Sequence, residues 1–289
     1  MSGVPTKLKE LHMKLFRFFG LSHDPFCRPE SADDAIITQG MSDTIEQVRS
    51  VIDDQRGIAT LIGSPGSGKS TIATLATEDR YVIRPLAPTN RMTPGHLYEA
   101  ILDSTGQPSR RSLEHRARAA RDAIQGAISE YGTCTLYIDD AEAVPTETLV
   151  AARALREIAG IFAPPISLLL VGSSSLRRRL SSEVSLLGTD AQAEHIEISD
   201  ISDVAEYLVL ACSRAGRAAG DIFSPDGVGA IQGASRTISE MISMVRRCLT
   251  FAHDIAEPVI TAEIVSASQA TARTTAGVQG RAADERMVA

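Results

Sequence analysis

Several features that are common in globular chains are scarce in this sequence. It contains no tryptophan, and aromatic residues make up 4% of its 289 residues. Aliphatic side chains and alanine must therefore fill any core, and the apolar content of 43% is ordinary for a globular protein. The four cysteines are widely separated and form no C-x-x-C pair, which argues against a zinc site and against a disulfide framework. We expect buried, reduced thiols instead.

Long apolar runs and a net positive charge are also missing. No stretch reaches the length of a transmembrane helix, and Met1–Glu10 lacks the apolar segment of a signal peptide. We therefore expect a cytoplasmic protein without membrane insertion. The formal net charge of −7 gives no support to a surface that coats nucleic acid broadly, although a local basic patch is compatible with it.

Lysine is rare, and its distribution singles out one segment. Beyond Lys14 the only lysine is Lys69, which lies in Gly63–Ser70. This run reads G-x-x-x-x-G-K-S and is a complete phosphate-binding loop. Such a loop surrounds phosphate oxygens with backbone N–H groups, and the helix that follows turns its positive end toward the same anion. The lysine reaches the β- and γ-phosphates and is assigned a catalytic role, while Ser70 offers a hydroxyl to Mg²⁺.

The residues on either side of this loop provide the context that the motif requires. Gly57–Ile62 is a short apolar run, as expected of a buried parallel strand. Thr71–Ala76 carries apolar residues at helical spacing, so strand, loop and helix follow in the required order. The predicted nucleotide-binding residues of this segment are Gly63, Ser64, Pro65, Gly66, Ser67, Gly68, Lys69, Ser70 and Thr71.

A second motif supplies carboxylates. Leu136–Asp140 is an apolar strand that ends in two aspartates, and one βα unit separates it from the phosphate loop. We expect Asp139 to hold Mg²⁺, directly or through water. Asp140 is the predicted catalytic residue that orients or deprotonates the attacking water.

The pattern along the chain predicts the fold class. From residue 57 to about 198 strands alternate with helices, which indicates a parallel sheet with helices on both faces. After about residue 200 the pattern is purely helical. The predicted fold is α/β, a P-loop NTPase parallel sheet sandwiched by helices, followed by a small all-helical lid domain. The predicted segments are an N-terminal lead-in (1–45), a nucleotide-binding domain (46–198), a lid (199–270) and a disordered tail (271–289).

Individual elements can be predicted from apolar periodicity and capping residues. The expected strands after the phosphate loop are Tyr81–Leu86, Cys134–Ile138, Ile166–Val171 and His195–Ile198. The expected helices of the same domain are one from the N-cap Ser42 to Asp54, Ser112–Tyr131 and Thr146–Ile158. The lead-in holds an aromatic cluster that either docks on the core or lines a wall of the nucleotide pocket, formed by Phe16, Phe18, Phe19, Leu21 and Phe26.

Together these motifs resemble those of an AAA+ ATPase, and within that group the ExeA/GspA-type secretion ATPases. They are also similar to transposition ATPases of the MuB/TnsC type. Phe19–Phe26 matches the F-G-L-x-x-x-P-F opening of the group, and Gly63–Ser70 and Ile138–Glu142 match its nucleotide motifs. Val171–Arg177 falls where the group has V-G-x-x-x-L-R, and Gly233–Arg236 resembles the G-x-P-R element of its helical lid.

The resemblance carries expectations about cofactors, site residues and partners. It implies binding of ATP and Mg²⁺ and assembly of a homo-oligomer. It adds Ser173 as a catalytic candidate and Arg236 as a nucleotide contact from the lid. ATP binding would then drive oligomerisation and engagement of a protein partner, in a secretion or pilus machine. The alternatives are a DNA-binding ATPase that regulates a transposase and a nucleotide-gated scaffold with little turnover.

The sequence departs from the group's pattern in three places. Asp140 stands where glutamate is usual, and the element that ends at Arg236 lacks its proline. The group commonly has an arginine before the fifth strand that acts on a neighbouring subunit's nucleotide, but Ser181–Glu194 contains none. The nearest candidates for that role are Arg177, Arg178 and Arg179, which otherwise form a solvated cationic helix end. Slow hydrolysis is therefore expected.

A basic stretch precedes and continues along the helix that leads to the third strand, and it contains Arg110, Arg111, Arg116, Arg118 and Arg121. We expect Arg110, Arg118 and Arg121 to share a surface stripe that contacts phosphates. The alternative is a solvated helix face that Glu114 and Asp122 balance. No aromatic residues are interleaved to stack on single-stranded bases.

Overall fold

The computed structural model describes residues 13–29, 31–53, 58–85, 91–157, 166–182 and 193–271. These residues divide into two units. One consists of the described part of Gln39–Ser199, and the other of the described parts of Met1–Thr38 and Asp200–Ala289. The sequence-based division gave residues 1–45 a segment of their own, whereas the structure joins the described residues up to Thr38 to the helical unit. The predicted disordered tail lies outside the described residues from position 272 onward.

The first unit is built on a parallel sheet of five strands in the order β2-β3-β4-β1-β5. Every residue of β1, β3 and β4 is buried, as expected when helices cover both faces of a parallel sheet. The predicted fold class is therefore confirmed. The strands are β1 (Ile58–Ile62), β2 (Tyr81–Ile83), β3 (Cys134–Ile138), β4 (Ser167–Gly172) and β5 (Ala193–Glu197).

Six helices accompany the sheet in the described part of this unit, together with a 3-10 turn at Ala141–Ala143. Because apolar side chains on these helices pack on the sheet, the largest buried cluster combines both kinds of element. The helices are α1 (Gln39–Asp53), α2 (Lys69–Ala76), α3 (Pro94–Ser104), α4 (Leu113–Tyr131), α5 (Thr146–Glu157) and α6 (Ser174–Ser182).

One helix begins earlier than the sequence pattern predicts, and another helix has no counterpart among the predicted elements. Helix α1 begins at Gln39, so Ser42 lies inside its first turn and is not the N-cap. The Gln39 side chain donates to the Asp43 carboxylate at 2.7 Å, one turn ahead, which supports the earlier start. Helix α3 was not predicted. Its signal is present in the sequence, because Thr93 accepts a hydrogen bond from the His96 backbone N–H and Pro94 occupies the first turn.

The strand order decides where the two nucleotide motifs end. β1 leads into the phosphate loop, β3 ends beside Asp139, and β4 lies between them. All three strands are parallel, so their carboxyl ends share one edge of the sheet. The loop and the carboxylate therefore meet across the end of β4 and not through adjacent strands.

The second unit is helical in its described part. It contains α7 (Val204–Arg214), α8 (Pro225–Ala234) and α9 (Ile238–Asp254), with further helical residues at 13–18 and 262–271. Its core joins these helices to the N-terminal segment, because Phe16, Phe19, Leu21 and Phe26 are all buried in it. Phe18 remains more exposed, at 39%, and packs edge-on against His253. The aromatic cluster therefore belongs to the core of the helical unit.

Polar contacts fix the opening motif in the same unit. The Ser22 backbone N–H and hydroxyl both donate to the Ala215 carbonyl, each at 3.0 Å. The Arg246 guanidinium of α9 pairs with the Asp24 carboxylate at 2.6 Å and donates to the Phe26 carbonyl at 3.0 Å. The F-G-L-x-x-x-P-F motif is therefore held by hydrogen bonds and an ion pair to the end of α7 and to α9 of the same unit. Among the described residues, no helix is both long enough and apolar enough to cross a membrane.

Candidate functional site

The phosphate loop connects β1 to α2, and its backbone conformation requires glycine. Gly66 has a φ of 81° and Gly68 has a φ of 90°, so both adopt the left-handed conformation that side chains disfavour. The Ser67 N–H donates to the Ser64 carbonyl at 3.1 Å, and the Ile72 N–H donates to the Gly68 carbonyl at 3.0 Å. The loop is therefore a compact turn that leads directly into a helix N-terminus.

Gly63 is required for a different reason, which is space. A Cβ atom at this position would lie 2.6 Å from the Ser67 hydroxyl oxygen and 3.2 Å from Ile198 Cβ. The Gly63 N–H donates to the Gly172 carbonyl at 3.1 Å, which ties the start of the loop to the end of β4. The buried Ser67 hydroxyl has no hydrogen-bond partner in the described part of the chain, and it lies inside this turn.

The Lys69 ammonium lies against the loop that precedes it. It donates to the carbonyl oxygens of Gly63 and Ser64, each at 2.9 Å. Lys69 is also the first residue of α2, so its charge adds to the positive end of the helix dipole. Backbone amides, dipole and ammonium together make this turn suited to an anion with several negative oxygens, such as a polyphosphate.

Ser70 and Asp139 meet although they are distant in the sequence. The Ser70 hydroxyl donates to Asp139 Oδ2 at 2.9 Å, and the Tyr137 hydroxyl donates to the same oxygen at 2.9 Å. The Asp140 N–H donates to Asp139 Oδ1 at 3.0 Å. A hydroxyl and a carboxylate are oxygen ligands of the type that Mg²⁺ prefers, so these residues fit the predicted cation.

Tyr137 was not singled out by the sequence reasoning. Its side chain is 5% exposed, and the Arg84 guanidinium carbon lies 4.5 Å from the centre of its ring. Burial, followed by the charge and hydrogen bond of Asp139, raises the pKa of Tyr137 above its ordinary value. The phenol therefore remains a hydrogen-bond donor. The available sequence signal was its position two residues before Asp139, because alternate residues of a strand share a face.

Asp140 has an unusual backbone conformation. Its φ is 47° and its ψ is 41°, which is left-handed, and its side chain is exposed. Aspartate tolerates this conformation better than most non-glycine residues do. The backbone thus offers a physical reason for aspartate where the resembling group has glutamate. The Asp140 carboxylate has no hydrogen-bond partner within the described ranges, so it is free to contact a ligand at the sheet edge.

Ser173 lies directly after β4, and its contacts are local. Its hydroxyl oxygen lies 2.6 Å from the Ser175 hydroxyl oxygen, and its N–H donates to Glu142 Oε1 at 3.0 Å. The other carboxylate oxygen, Glu142 Oε2, is buried and has no partner among the residues described. Glu142 therefore joins the turn after β3 to the start of α6. The sequence motif contained this residue but gave no reason to expect the contact.

The three arginines proposed for a role in trans have different environments. Arg179 donates to the carbonyls of Glu142 and Val144, at 3.1 Å and 2.5 Å, and to the Thr146 hydroxyl at 2.8 Å. Arg177 forms an ion pair with Glu197. Arg178 is exposed, and no ion pair or hydrogen bond engages its guanidinium in the ranges described. Of the interval Ser181–Glu194, residues 183–192 lie outside the described ranges.

Arg236 belongs to the helical unit, whereas the other predicted site residues belong to the α/β unit. It is exposed between α8 and α9. The Glu240 carboxylate accepts from the Arg236 backbone N–H at 2.8 Å and not from its guanidinium. Glu240 and Thr237 thus provide hydrogen bonds at the start of α9, and no salt bridge joins Arg236 to Glu240 within the described residues.

The basic stretch divides into paired and exposed members. Arg116 is partly buried and pairs with Glu99 at 2.6 Å, so it is not part of an open phosphate-binding face. Arg118 pairs with Glu114 across one helical turn at 3.8 Å, as the solvated-face alternative predicts. Arg110, Arg111 and Arg121 are exposed.

Comparison with known proteins is consistent with this geometry. Residues 51–180 match the sequence model of a family described as AAA domain, and no curated protein matches the chain. The fold is similar to that of Cdc6p from Pyrobaculum aerophilum, with a TM-score of 0.61 and 17% identity over 86% of this chain and 70% of that one. It is also similar to Aeropyrum pernix ORC1, solved in complex with DNA, with a TM-score of 0.59 and 15% identity over 84% of this chain and 67% of that one. The RuvB Holliday junction branch migration motor of Thermotoga maritima has a TM-score of 0.53 and 16% identity over 85% and 73% of the two chains.

At such identities the structural likeness establishes the fold, which is that of a P-loop AAA+ NTPase. The matched AAA domain includes the phosphate loop, Asp139 and Ser173, and it ends within α6. The finer resemblance to secretion or transposition ATPases stays a hypothesis.

Proposed function

We propose that this protein binds Mg²⁺-ATP and hydrolyses it slowly. The observation that carries the proposal is the contact between the Ser70 hydroxyl and the Asp139 carboxylate, at 2.9 Å, beside a phosphate loop with its lysine in place. The loop amides and Lys69 would hold the phosphates, and Ser70 and Asp139 would hold the cation. Bound Mg²⁺ neutralises charge on the β- and γ-phosphate oxygens.

The hydrolytic step depends on Asp140. In the proposed reaction its carboxylate orients a water molecule toward the γ-phosphate and accepts a proton from it. Ser173 follows the neighbouring strand β4 and is the polar side chain we assign to the γ-phosphate region. Aspartate is one methylene shorter than the usual glutamate, which supports slow turnover. If turnover is too slow to matter, the protein is the nucleotide-gated scaffold of the alternative hypothesis.

We further infer that ATP promotes self-association and engagement of a protein partner. The exposed guanidinium of Arg178 supports a contact with the nucleotide of a neighbouring copy, because Arg177 and Arg179 are held by contacts within the chain. Arg236 is the candidate that reports nucleotide state to the helical unit. A secretion or pilus machine is the partner that the sequence resemblance favours.

A DNA-associated ATPase is the second candidate. It is supported by the exposed Arg110, Arg111 and Arg121 and by the structures of ORC proteins that were solved with DNA. A transposase regulator belongs to this class. Contacts to DNA phosphates by these arginines would make binding weaken as the salt concentration rises.

The decisive experiment compares the parent with Lys69→Ala and with Lys14→Ala as a matched control. Isothermal titration calorimetry should detect ATP binding to the parent and to Lys14→Ala. Binding to Lys69→Ala should be weaker by about tenfold to a hundredfold, because charge-assisted bonds to phosphate are lost. Equal affinities in all three proteins would refute the site assignment.

Turnover is then measured with and without duplex DNA at two salt concentrations. Stimulation by DNA that disappears at high salt favours the DNA-associated role. Slow turnover that DNA does not change favours a protein partner, and ATP binding without measurable turnover favours the scaffold.

A further inference from the structure

One residue beside the proposed cation site has no part in the function described so far. Tyr137 lies on β3, two residues before Asp139, and the two side chains share a face of the strand. Two residues of strand rise by about 6.6 Å, so a long side chain is needed to reach from position 137 to the carboxylate. The phenol does so, and its hydroxyl oxygen lies 2.9 Å from Asp139 Oδ2.

The hydrogen bonds of Asp139 show which part of the carboxylate is already used. Oδ2 accepts from both Ser70 and Tyr137, and Oδ1 accepts from the Asp140 N–H at 3.0 Å. A carboxylate oxygen offers about two lone-pair sites. Both sites of Oδ2 are therefore engaged, and one site of Oδ1 remains for a cation or for a water molecule bound to it.

The position of the Tyr137 ring is itself determined by its neighbours. The residue is 5% exposed, and the Arg84 guanidinium covers one face of the ring at 4.5 Å from its centre. Arg84 follows β2, the strand paired with β3, so the sheet fixes the distance between them. A buried ring held in this way keeps its hydroxyl at a constant place relative to Asp139.

We propose that Tyr137 is a positioning residue for the Mg²⁺ site, which fixes the Asp139 carboxylate in its metal-binding orientation through a hydrogen bond to Oδ2. The inference rests on the proposed function, because it requires Mg²⁺-ATP as the ligand. Donors of this kind that hold a metal-binding group in place commonly change metal affinity by about tenfold to a hundredfold when removed.

The test uses Tyr137→Phe, which removes only the hydroxyl. Tyr81→Phe is the matched control, since Tyr81 lies on the neighbouring strand and donates to the Ser104 carbonyl at 2.6 Å, away from Asp139. Calorimetry measures the dissociation constant of ATP in EDTA and in excess Mg²⁺ for each protein. The ratio of the two constants reports how strongly Mg²⁺ tightens binding.

For Tyr137→Phe the ratio should fall about tenfold, with the constant in EDTA unchanged. Tyr81→Phe should keep both parental constants. An unchanged ratio in Tyr137→Phe, or an equal loss of affinity with and without Mg²⁺, would overturn the inference, because a merely structural role predicts the second result. A parent that binds ATP equally with and without Mg²⁺ would also overturn it while leaving ATP binding intact. A parent that binds no ATP would instead refute the proposed function.

Discussion

The glycine at the end of β4 offers a strict test of the contacts around Ser173. A Cβ atom at Gly172 would lie 2.3 Å from Glu142 Oε2 and 2.9 Å from Leu176 Cδ2. Both distances are shorter than real contacts, so Gly172→Ala must displace the Glu142 carboxylate, the Leu176 side chain, or both. Since Glu142 Oε1 holds the Ser173 N–H at 3.0 Å, displacement of the carboxylate loosens that hydrogen bond.

Two effects set the expected magnitude. Overpacking in a buried site costs about 1–3 kcal/mol. Leaving a buried polar group without its partner costs about 1–3 kcal/mol more. We therefore expect Gly172→Ala to lower the free energy of unfolding by about 2–6 kcal/mol. For a unit of this size each kcal/mol corresponds to about 2–4 °C in melting temperature.

Calorimetric unfolding of Gly172→Ala and Gly126→Ala checks this expectation. A Cβ atom at Gly126 meets nothing within 4 Å, and the residue is solvent-exposed and lies away from both ends of α4. Its substitution should therefore stabilise the protein, by about 0.5–1 kcal/mol. The same glycine-to-alanine change should therefore lower the free energy of unfolding at position 172 and raise it at position 126.

A double-mutant cycle identifies the cause of the loss. If the Glu142 carboxylate is what alanine displaces, Gly172→Ala should cost less in a Glu142→Ala background, because the closest contact is already absent. Gly172→Ala with the parental melting temperature, or an equal cost in both backgrounds, would refute the reasoning from this contact.

Three further predictions concern the nucleotide site. In Asp139→Asn, Mg²⁺ should no longer tighten ATP binding, whereas Asp140→Asn should keep ATP binding and lose turnover. Calorimetry measures the binding and a phosphate-release assay measures the turnover. Equal losses of ATP affinity in the two variants would contradict this division of roles. Asp140→Glu should raise the single-turnover rate, because the longer side chain restores the reach of the carboxylate that is usual in the resembling group. It should cost a little stability, since the left-handed backbone at this position suits glutamate less well than aspartate. A lower rate would mean that the site has adapted to aspartate. Light scattering should show that ATP promotes self-association, and Arg236→Ala should weaken that response without changing the melting temperature, because no described residue pairs with the Arg236 guanidinium. Identical association of parent and variant would remove Arg236 from the mechanism. A parent that stays monomeric with ATP, with ADP and without nucleotide would remove oligomerisation from it.

The phosphate loop could be predicted from the sequence because its structure is local. Gly66 and Gly68 adopt backbone conformations that are permitted because glycine has no side chain. The Lys69 ammonium donates a hydrogen bond to a carbonyl of the same turn. The strand before it is encoded by a short apolar run, and the helix after it by apolar residues at helical spacing. The expected strand Cys134–Ile138 has the observed bounds for a similar reason, since four of its five residues are apolar.

Contacts between distant residues required the tertiary structure. Whether Arg177, Arg178 or Arg179 stays unengaged depends on which carbonyls and carboxylates lie nearby, and those come from other elements. The start of α1 likewise depended on side-chain contacts that a capping pattern alone did not reveal. The burial of Phe16 in the helical unit was equally undetermined, because a cluster of phenylalanines specifies burial but not the surface that provides it.

The sequence by itself predicted the motifs of this protein: a phosphate-binding loop, a hydroxyl and a carboxylate suited to a cation, and the parallel sheet that carries them. The tertiary structure alone decided the arrangement that joins them. The order β3-β4-β1 brings Ser70 and Asp139 to the same edge, and the adjacent ends of β3 and β4 bring Glu142 to the Ser173 N–H. Strand order depends on which surfaces pack together over the whole chain, and local periodicity carries no information about that choice.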